Sequence, residues 1–185
     1  TSMTGYITGR LADKEGAADL LRTAELSIPA AKQLGNPSLN IHGTGLDNKG
    51  LPVQPCYDVT PAMWTQAEIT LNEIADLAAK NGVTFILENL NLIVDHPGTP
   101  FGLAKDVIKL VKAVNKPSLK MNFDIYHAQI GEGNLISLLE EALPIIGEIQ
   151  VADVPVVLMS EVGIGELLPP AVAQESVPDP LVVRV

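Results

Sequence analysis

The sequence is poor in cysteine and in basic residues, and both shortages restrict what the chain can be. Cys56 is the only cysteine, so no disulfide can form within the chain, which favours a reducing compartment. The 12 lysines and arginines are outnumbered by 22 aspartates and glutamates, for a formal net charge of -10. No basic stripe typical of nucleic-acid-binding proteins is present. We therefore expect no nucleic-acid partner.

Long apolar runs and several common motifs are also missing. No apolar window approaches the roughly 20 residues needed to span a bilayer, and the N-terminal residues TSMTGYITGR lack the basic and apolar regions of a signal peptide. No GxGxxG or GxxxxGK(S/T) motif follows a predicted strand, and no HExxH or paired CxxC offers a standard zinc site. These absences predict a cytoplasmic protein with no membrane partner.

What is present is an alternation of strands and helices. Hydrophobic residues make up 46% of the 185 residues, enough for one domain with a substantial core. The predicted strands are Leu39–His42, Thr84–Asn91, Leu119–His127, Glu148–Val154 and, weakly, Leu181–Val185. The predicted helices are Leu11–Leu34, Met63–Lys80, Leu103–Val114 and Asn134–Ile146. This order indicates an α/β fold built from parallel βα units.

Residues at the predicted helix ends agree with these assignments. Thr60 followed by Pro61 is a good N-cap and first-turn pair for the second helix. Gly35 and Gly82 stand just past the ends of the first and second helices, where a left-handed residue usually terminates a helix.

The strand pattern separates two architectures that accept parallel βα units, the open doubly wound sheet and the closed (β/α)8 barrel. In the third strand Leu119, Met121 and Phe123 alternate with the polar Asn122 and Asp124. Central strands of open sheets are apolar on both faces, whereas barrel strands become polar towards a C-terminal mouth. A complete barrel usually needs about 250 residues. The sequence therefore favours an incomplete (β/α)8 TIM barrel with four to five strands.

Polar residues cluster near the ends of four predicted strands, which would converge at one barrel mouth. They are His42, Glu88, Asn89, Asn91, Asp124, His127, Gln150 and Asp153. Carboxylate and amide oxygens suit Mg²⁺ or Mn²⁺ better than zinc. A cation held by Glu88, Asp124 and Gln150 would chelate an α-hydroxycarbonyl compound and stabilise its enediolate.

Each of these residues also has a structural interpretation. Glu88 can pair with a lysine near a strand end, and Asp124 can cap the following helix. His42 and His127 can be core histidines bonded to backbone carbonyls, and Asp153 is expected to be structural. The joint pattern, rather than any single residue, favours a metal-assisted enzyme site.

Four motifs resemble the hydroxypyruvate isomerase branch of the xylose-isomerase-like sugar isomerase and epimerase superfamily. They are HGTGLD, LENLN, FDIYHAQIGEGNL and IGEIQVADVP, and the resemblance covers roughly residues 20 to 155. It implies a (β/α)8 barrel that interconverts hydroxypyruvate and tartronate semialdehyde with a divalent metal, Mg²⁺ or Mn²⁺.

The resemblance also implies roles for single residues. It places metal ligands at Glu88, Asp124 and Gln150, and makes Glu88 the catalytic base. His42, Asn91, His127 and Glu166, the last in the stretch EVGIGEL, would bind a small hydroxycarbonyl or sugar substrate.

The sequence departs from the family pattern towards its C-terminus. After VADVP it has Val156–Ser160 where the family carries glycine, arginine and histidine, and its last predicted strand offers Arg184 instead of a second glutamate. We divide the chain into a partial barrel domain, residues 1–155, and a divergent segment, residues 156–185.

This division leaves alternatives open. The chain is expected to form a homo-oligomer or to pair with a missing barrel half. Instead of an isomerase it can be a related epimerase, dehydratase or lyase, or an inactive barrel fragment that binds or assembles with a partner. An abasic-site nuclease is disfavoured by the acidic charge and the lack of a zinc-type histidine set.

Overall fold

Five parallel strands form one sheet in chain order, with helices between them. The structure is a computed structural model and describes residues 2–4, 7–35 and 37–152. The strands are β1 (Met3–Thr4), β2 (Ser38–Ile41), β3 (Thr84–Glu88), β4 (Leu119–Asp124) and β5 (Ile146–Gln150). The helices are α1 (Lys14–Gln33), α2 (Pro61–Asn81), α3 (Ala104–Val114), α4 (Ile125–Gly131) and α5 (Leu135–Ala142), followed by a 3₁₀ turn (Leu143–Ile145). The order β1-β2-β3-β4-β5 with parallel pairing throughout confirms the predicted βα units.

The two faces of the sheet differ as the alternation predicted. Leu119, Met121 and Phe123 belong to the hydrophobic core shared with the helices. On the opposite face, the strand register sets Glu88 beside Asn122, and Asp124 beside Gln150. The polar ends of three neighbouring strands therefore share one face and one edge of the sheet.

The helices bury the stripes that their periodicity predicted. Leu71, Ile74 and Ala78 of α2 are fully buried, as are Val107 and the other inward residues of α3. Thr60 caps α2, with its side chain accepting from the Met63 N–H, Pro61 occupies the first helical position, and Gly82 ends the helix with a left-handed φ of 64°. The predicted capping residues of α2 are confirmed, although the helix runs from Pro61 to Asn81 rather than over the predicted Met63–Lys80.

Several predicted boundaries were wrong. The strand expected over Leu119–His127 ends at Asp124, because that side chain caps α4, which begins at Ile125. The strand expected over Thr84–Asn91 ends at Glu88. The helix expected over Asn134–Ile146 ends at Ala142, and a 3₁₀ turn begins at Leu143.

Other boundaries moved, and one strand was missed. The strand β1, Met3–Thr4, was not predicted, since two residues leave no readable alternation. The expected strand Glu148–Val154 is β5, which starts two residues earlier, at Ile146. The expected strand Leu181–Val185 and the boundary at residue 155 lie outside the described residues. Within the described part of the chain, no helix is long and apolar enough to cross a bilayer.

Candidate metal-assisted active site

A cavity of about 410 Å³ lies at the carboxyl ends of the strands. The polar side chains that line it are Thr4, Asn40, His42, Glu88, His96, Asp124, His127 and Gln150. They come from strands β1 to β5 and from the loops and the helix that follow β2, β3 and β4. Among the described residues that line this cavity there is no lysine or arginine, so neither of its two carboxylates is paired with such a side chain there.

Glu88, the last residue of β3, is held by donors from β2 and the loop after it. Asn40 Nδ2 donates to Glu88 Oε2, and His42 Nε2 lies 3.2 Å from the same oxygen. Burial raises the pKa of Glu88, but the hydrogen bond and charge of His42 and the hydrogen bond of Asn40 outweigh it. The pKa of Glu88 therefore lies below its usual value, and the side chain is a carboxylate at neutral pH.

Asp124, the last residue of β4, is only 6% exposed and is both a helix cap and a site carboxylate. Its Oδ1 accepts from the His127 N–H at 3.0 Å, as the structural interpretation of this residue predicted. Asn89 fixes its backbone, because the Asn89 side chain exchanges hydrogen bonds of 2.9 and 3.0 Å with the Asp124 N–H and carbonyl. Burial, reinforced by the charge of Glu88, raises the pKa of Asp124 to about 6.

The amide of Gln150, at the end of β5, lies between both carboxylates and Asn122. With its nitrogen towards the carboxylates, it donates to Asp124 Oδ2 at 3.0 Å and to Glu88 Oε1 at 3.3 Å. Its oxygen then accepts from Asn122 Nδ2 at 2.8 Å. Half a turn of the amide would direct the oxygen to the carboxylates instead, which is favourable only if a cation lies among the three oxygens.

His127, in α4, is hydrogen-bonded through its Nδ1 to the Asn91 side chain. Asn91 Nδ2 lies 2.9 Å from His127 Nδ1 and donates to Asp95 Oδ2 at 2.6 Å. Tyr126 completes the group, since its hydroxyl donates to Asp95 Oδ2 at 2.9 Å. Burial lowers the pKa of His127 to about 4, so the ring is neutral at pH 7.

Three polar residues that line the cavity, Thr4, Asn40 and His96, were missed as site residues. His96 Nδ1 lies 2.6 Å from the Gly50 carbonyl oxygen, and its ring contacts that of His127 with centroids 5.0 Å apart. His96 lies in a loop, where no strand alternation could mark it. Asn40 could have been found, because the period-two pattern of β2 places it on the face that carries Glu88.

The predicted substrate residues lie in different environments. His42 and His127 line the cavity. Asn91 is fully buried and is not among the residues that line it. Glu166 and Asp153 lie outside the described residues.

The donor set fits a hard divalent cation. Mg²⁺ binds oxygens at about 2.1 Å in octahedral geometry, so neighbouring ligand oxygens lie roughly 3 Å apart. The Gln150 amide meets the Asp124 and Glu88 oxygens at 3.0 and 3.3 Å. Glu88, Asp124 and His127 also have ligand atoms within 4.8 Å of one another, so two overlapping sets of three residues are available.

Comparison with known proteins identifies the family. The family model described as xylose isomerase-like TIM barrel matches residues 1–174. The chain belongs to this family. A crystal structure of AP endonuclease, family 2, from Brucella melitensis superposes with a TM-score of 0.65 at 25% identity, covering 80% of this chain and 53% of that one. The five parallel strands are thus part of a TIM barrel, as predicted.

Curated relatives within the family are named as isomerases. The 2-oxo-tetronate isomerase of Cupriavidus necator is 40% identical over 81 residues, which are 44% of this chain and 31% of that protein. The hydroxypyruvate isomerase of Escherichia coli is 31% identical over 114 residues, 58% of this chain and 43% of that protein. The chain therefore matches less than half the length of these relatives, and the resemblance to the hydroxypyruvate isomerase branch is confirmed.

Proposed function

We propose that the chain carries the site of an isomerase that interconverts small α-hydroxycarbonyl compounds of the hydroxypyruvate and tartronate semialdehyde type. The observation that carries this proposal is the convergence of the Glu88, Asp124 and Gln150 side chains from three neighbouring strands. The names of the relatives support the same substrate class, since both hydroxypyruvate and 2-oxo-tetronate are small oxo acids.

Glu88, Asp124 and Gln150 would hold Mg²⁺ or Mn²⁺. Both carboxylates are buried, and no lysine or arginine among the described lining residues competes for them. Such a cation supplies charge that stabilises an enediolate oxygen. Gln150 would join the ligands by turning its amide oxygen towards the carboxylates.

Glu88 is the proposed base. Its lowered pKa keeps it ionised, and the cavity surrounds it with groups that donate hydrogen bonds. It would remove a proton from C3 of hydroxypyruvate, which leaves an enediolate spread over O2 and O3. Return of a proton to C2, with the hydroxyl proton moving from O3 to O2, gives tartronate semialdehyde without net gain or loss of atoms.

Proton exchange at carbon tests this proposal directly. In D₂O with Mn²⁺ or Mg²⁺, the chain should replace the C3 protons of hydroxypyruvate by deuterium even if isomerisation itself is slow. Proton NMR measures this exchange as loss of the C3 signal. Glu88→Gln keeps the shape of the side chain but removes the base, and we expect at least a ~100-fold loss of exchange rate.

The control is Glu73→Gln, an exposed glutamate on α2, which should exchange at the parent rate. The same proteins are melted with and without Mn²⁺, because a cation that binds only the folded state raises the melting temperature. A rise in melting temperature with Mn²⁺ but no proton exchange at C3 would contradict the isomerase and favour an inactive binding protein. Absence of both would overturn the metal site as well.

A further inference from the structure

Asn91 is buried at the end of a hydrogen-bond chain that determines how it faces His127. Asn91 Oδ1 accepts from the backbone N–H groups of Val94 and Asp95, each at 3.0 Å. Its Nδ2 faces Asp95 Oδ2 at 2.6 Å. The reverse amide orientation would set the oxygen against a carboxylate and the nitrogen against two N–H groups, so the orientation of Asn91 is determined.

This orientation decides which ring nitrogen of His127 carries the proton. Asn91 Nδ2 lies 2.9 Å from His127 Nδ1 and can only donate. His127 Nδ1 must therefore accept, and the proton of the neutral ring lies on Nε2. An ion pair from a protonated Nδ1 to Asp95 Oδ2 is disfavoured because these atoms are 4.0 Å apart and an Nδ1 proton would face the Asn91 N–H.

The tautomer determines whether His127 presents a hydrogen-bond donor or a lone pair to the cavity that it lines. With Nδ1 occupied, Nε2 is the ring nitrogen left for a ligand, and it presents a proton rather than a lone pair. A protonated Nε2 cannot bind a cation, but it can donate a hydrogen bond to an anionic oxygen.

We infer that Asn91, held by Asp95, is a positioning residue that fixes His127 as a hydrogen-bond donor to a substrate oxygen and excludes it from the metal ligands. The donor role rests on the proposed isomerase function, whereas the tautomer and the metal ligand set do not. Asn91 itself then contacts no substrate, although the family resemblance implied a substrate contact.

His96 provides an internal reference of the opposite tautomer. Its Nδ1 lies 2.6 Å from the Gly50 carbonyl oxygen, which can only accept, so Nδ1 carries the proton. The chain has three histidines in total, and long-range ¹H–¹⁵N NMR correlations of the intact metal-free chain distinguish protonated from unprotonated ring nitrogens. Loss of one signal set in His127→Gln assigns that ring.

The decisive double variant exchanges the Asn91 amide and the Asp95 carboxylate, which lie next to His127 Nδ1. Asn91→Asp combined with Asp95→Asn keeps the net charge and the shapes but presents a carboxylate oxygen to Nδ1. We expect His127 to move its proton from Nε2 in the parent to Nδ1 in the double variant, while His96 keeps Nδ1–H. An Nδ1 proton on His127 in the parent overturns the inference, as does an unchanged His127 in a folded double variant.

Metal binding provides a second readout that needs no activity. His127→Gln should lose less than about threefold in Mn²⁺ affinity, whereas Asp124→Asn, which alters a proposed ligand, should lose more than the roughly 10- to 100-fold that loss of an outer-shell partner costs. An equal loss in His127→Gln and Asp124→Asn would make His127 a ligand and overturn the inference. Absence of proton exchange at C3 of hydroxypyruvate would instead contradict the proposed isomerase function, and the assignments of the His127 tautomer and of the metal ligands would be unaffected.

Discussion

At the residue scale, the site holds two buried acidic side chains whose pKa values are shifted in opposite directions. Glu88 receives hydrogen bonds from Asn40 and His42, and its pKa is lowered. Asp124 accepts a backbone N–H, but burial dominates and its pKa rises to about 6. Separation of the pKa values of neighbouring acids is how an active site assigns them different roles.

Asp124→Asn should change how the stability of the metal-free chain depends on pH. Since the folded pKa is about 6 and the usual value is 3.8, the folded state holds a proton between these values that the unfolded state has released. The free energy of unfolding therefore falls as pH rises through this window, by about 3 kcal/mol in total. Asparagine keeps the capping oxygen and cannot ionise. The variant should match the parent near pH 4 and exceed its stability at pH 7, as measured by urea unfolding in EDTA.

His127 changes the free energy of unfolding with pH in the opposite direction, so the two contributions partly cancel in the parent. Its folded pKa is about 4, below the usual 6.5, and the unfolded chain binds the extra proton in that window. Its contribution therefore makes stability rise with pH. Asp124→Asn should leave this rise visible, and His127→Gln should remove it and make the fall caused by Asp124 steeper. Parallel pH profiles in all three proteins would contradict the shifted pKa values.

At the element scale, the loops after β2 and β3 are locked together by a close backbone approach. A Cβ built on Gly43 would lie 1.8 Å from the Pro100 carbonyl oxygen, too close for any side chain. Gly43, the first glycine of the HGTGLD motif, is thus required by packing between two loops.

Gly43→Ala should destabilise the chain by about 3 kcal/mol, because backbone on both sides must move. It should also weaken Mn²⁺ binding, since His42 would shift with the loop. Gly131→Ala is the matched control, as its new Cβ meets nothing closer than 3.5 Å, and it should be neutral or slightly stabilising. Equal urea midpoints for Gly43→Ala and the parent would show that the loop packing is looser than described.

The limits of sequence interpretation are clearest at β4. Alternation correctly assigned Leu119, Met121 and Phe123 to the helix side, since burial of one face imposes a period of two. It failed to end the strand at Asp124, because Ile125 continues the apolar pattern. The end depends on a hydrogen bond from the His127 N–H to Asp124, and the sequence offered this cap only as one of two roles for Asp124.

At the scale of the whole molecule, all five strands contribute residues to the cavity, and a bound cation would hold three of them together. Glu88, Asp124 and Gln150 lie on neighbouring strands, so a ligand that binds only the folded sheet opposes its unfolding. Metal binding should also compete with the proton on Asp124.

Mn²⁺ should therefore stabilise the chain more at pH 7 than at pH 5. With a pKa of about 6, the ionised fraction of Asp124 falls about tenfold over this range, which lowers the stabilisation by about 1.4 kcal/mol when free Mn²⁺ far exceeds the apparent dissociation constants at both pH values. Asp124→Asn should show little Mn²⁺ effect at either pH. Equal Mn²⁺-induced changes in the free energy of unfolding at both pH values would exclude Asp124 as a ligand.

The sequence by itself determined the alternation of strands and helices, the buried faces and the family. These follow from local periodicity and from short motifs, which need no knowledge of distant contacts. It also brought Glu88, Asp124 and Gln150 to one edge, because parallel strands end on the same side of a sheet. Only the tertiary structure decided how these groups are used. The pKa of Asp124 depends on burial, the orientation of Asn91 on Asp95, and the proton of His127 on Asn91, and such contacts between loops and neighbouring strands form only when the chain folds.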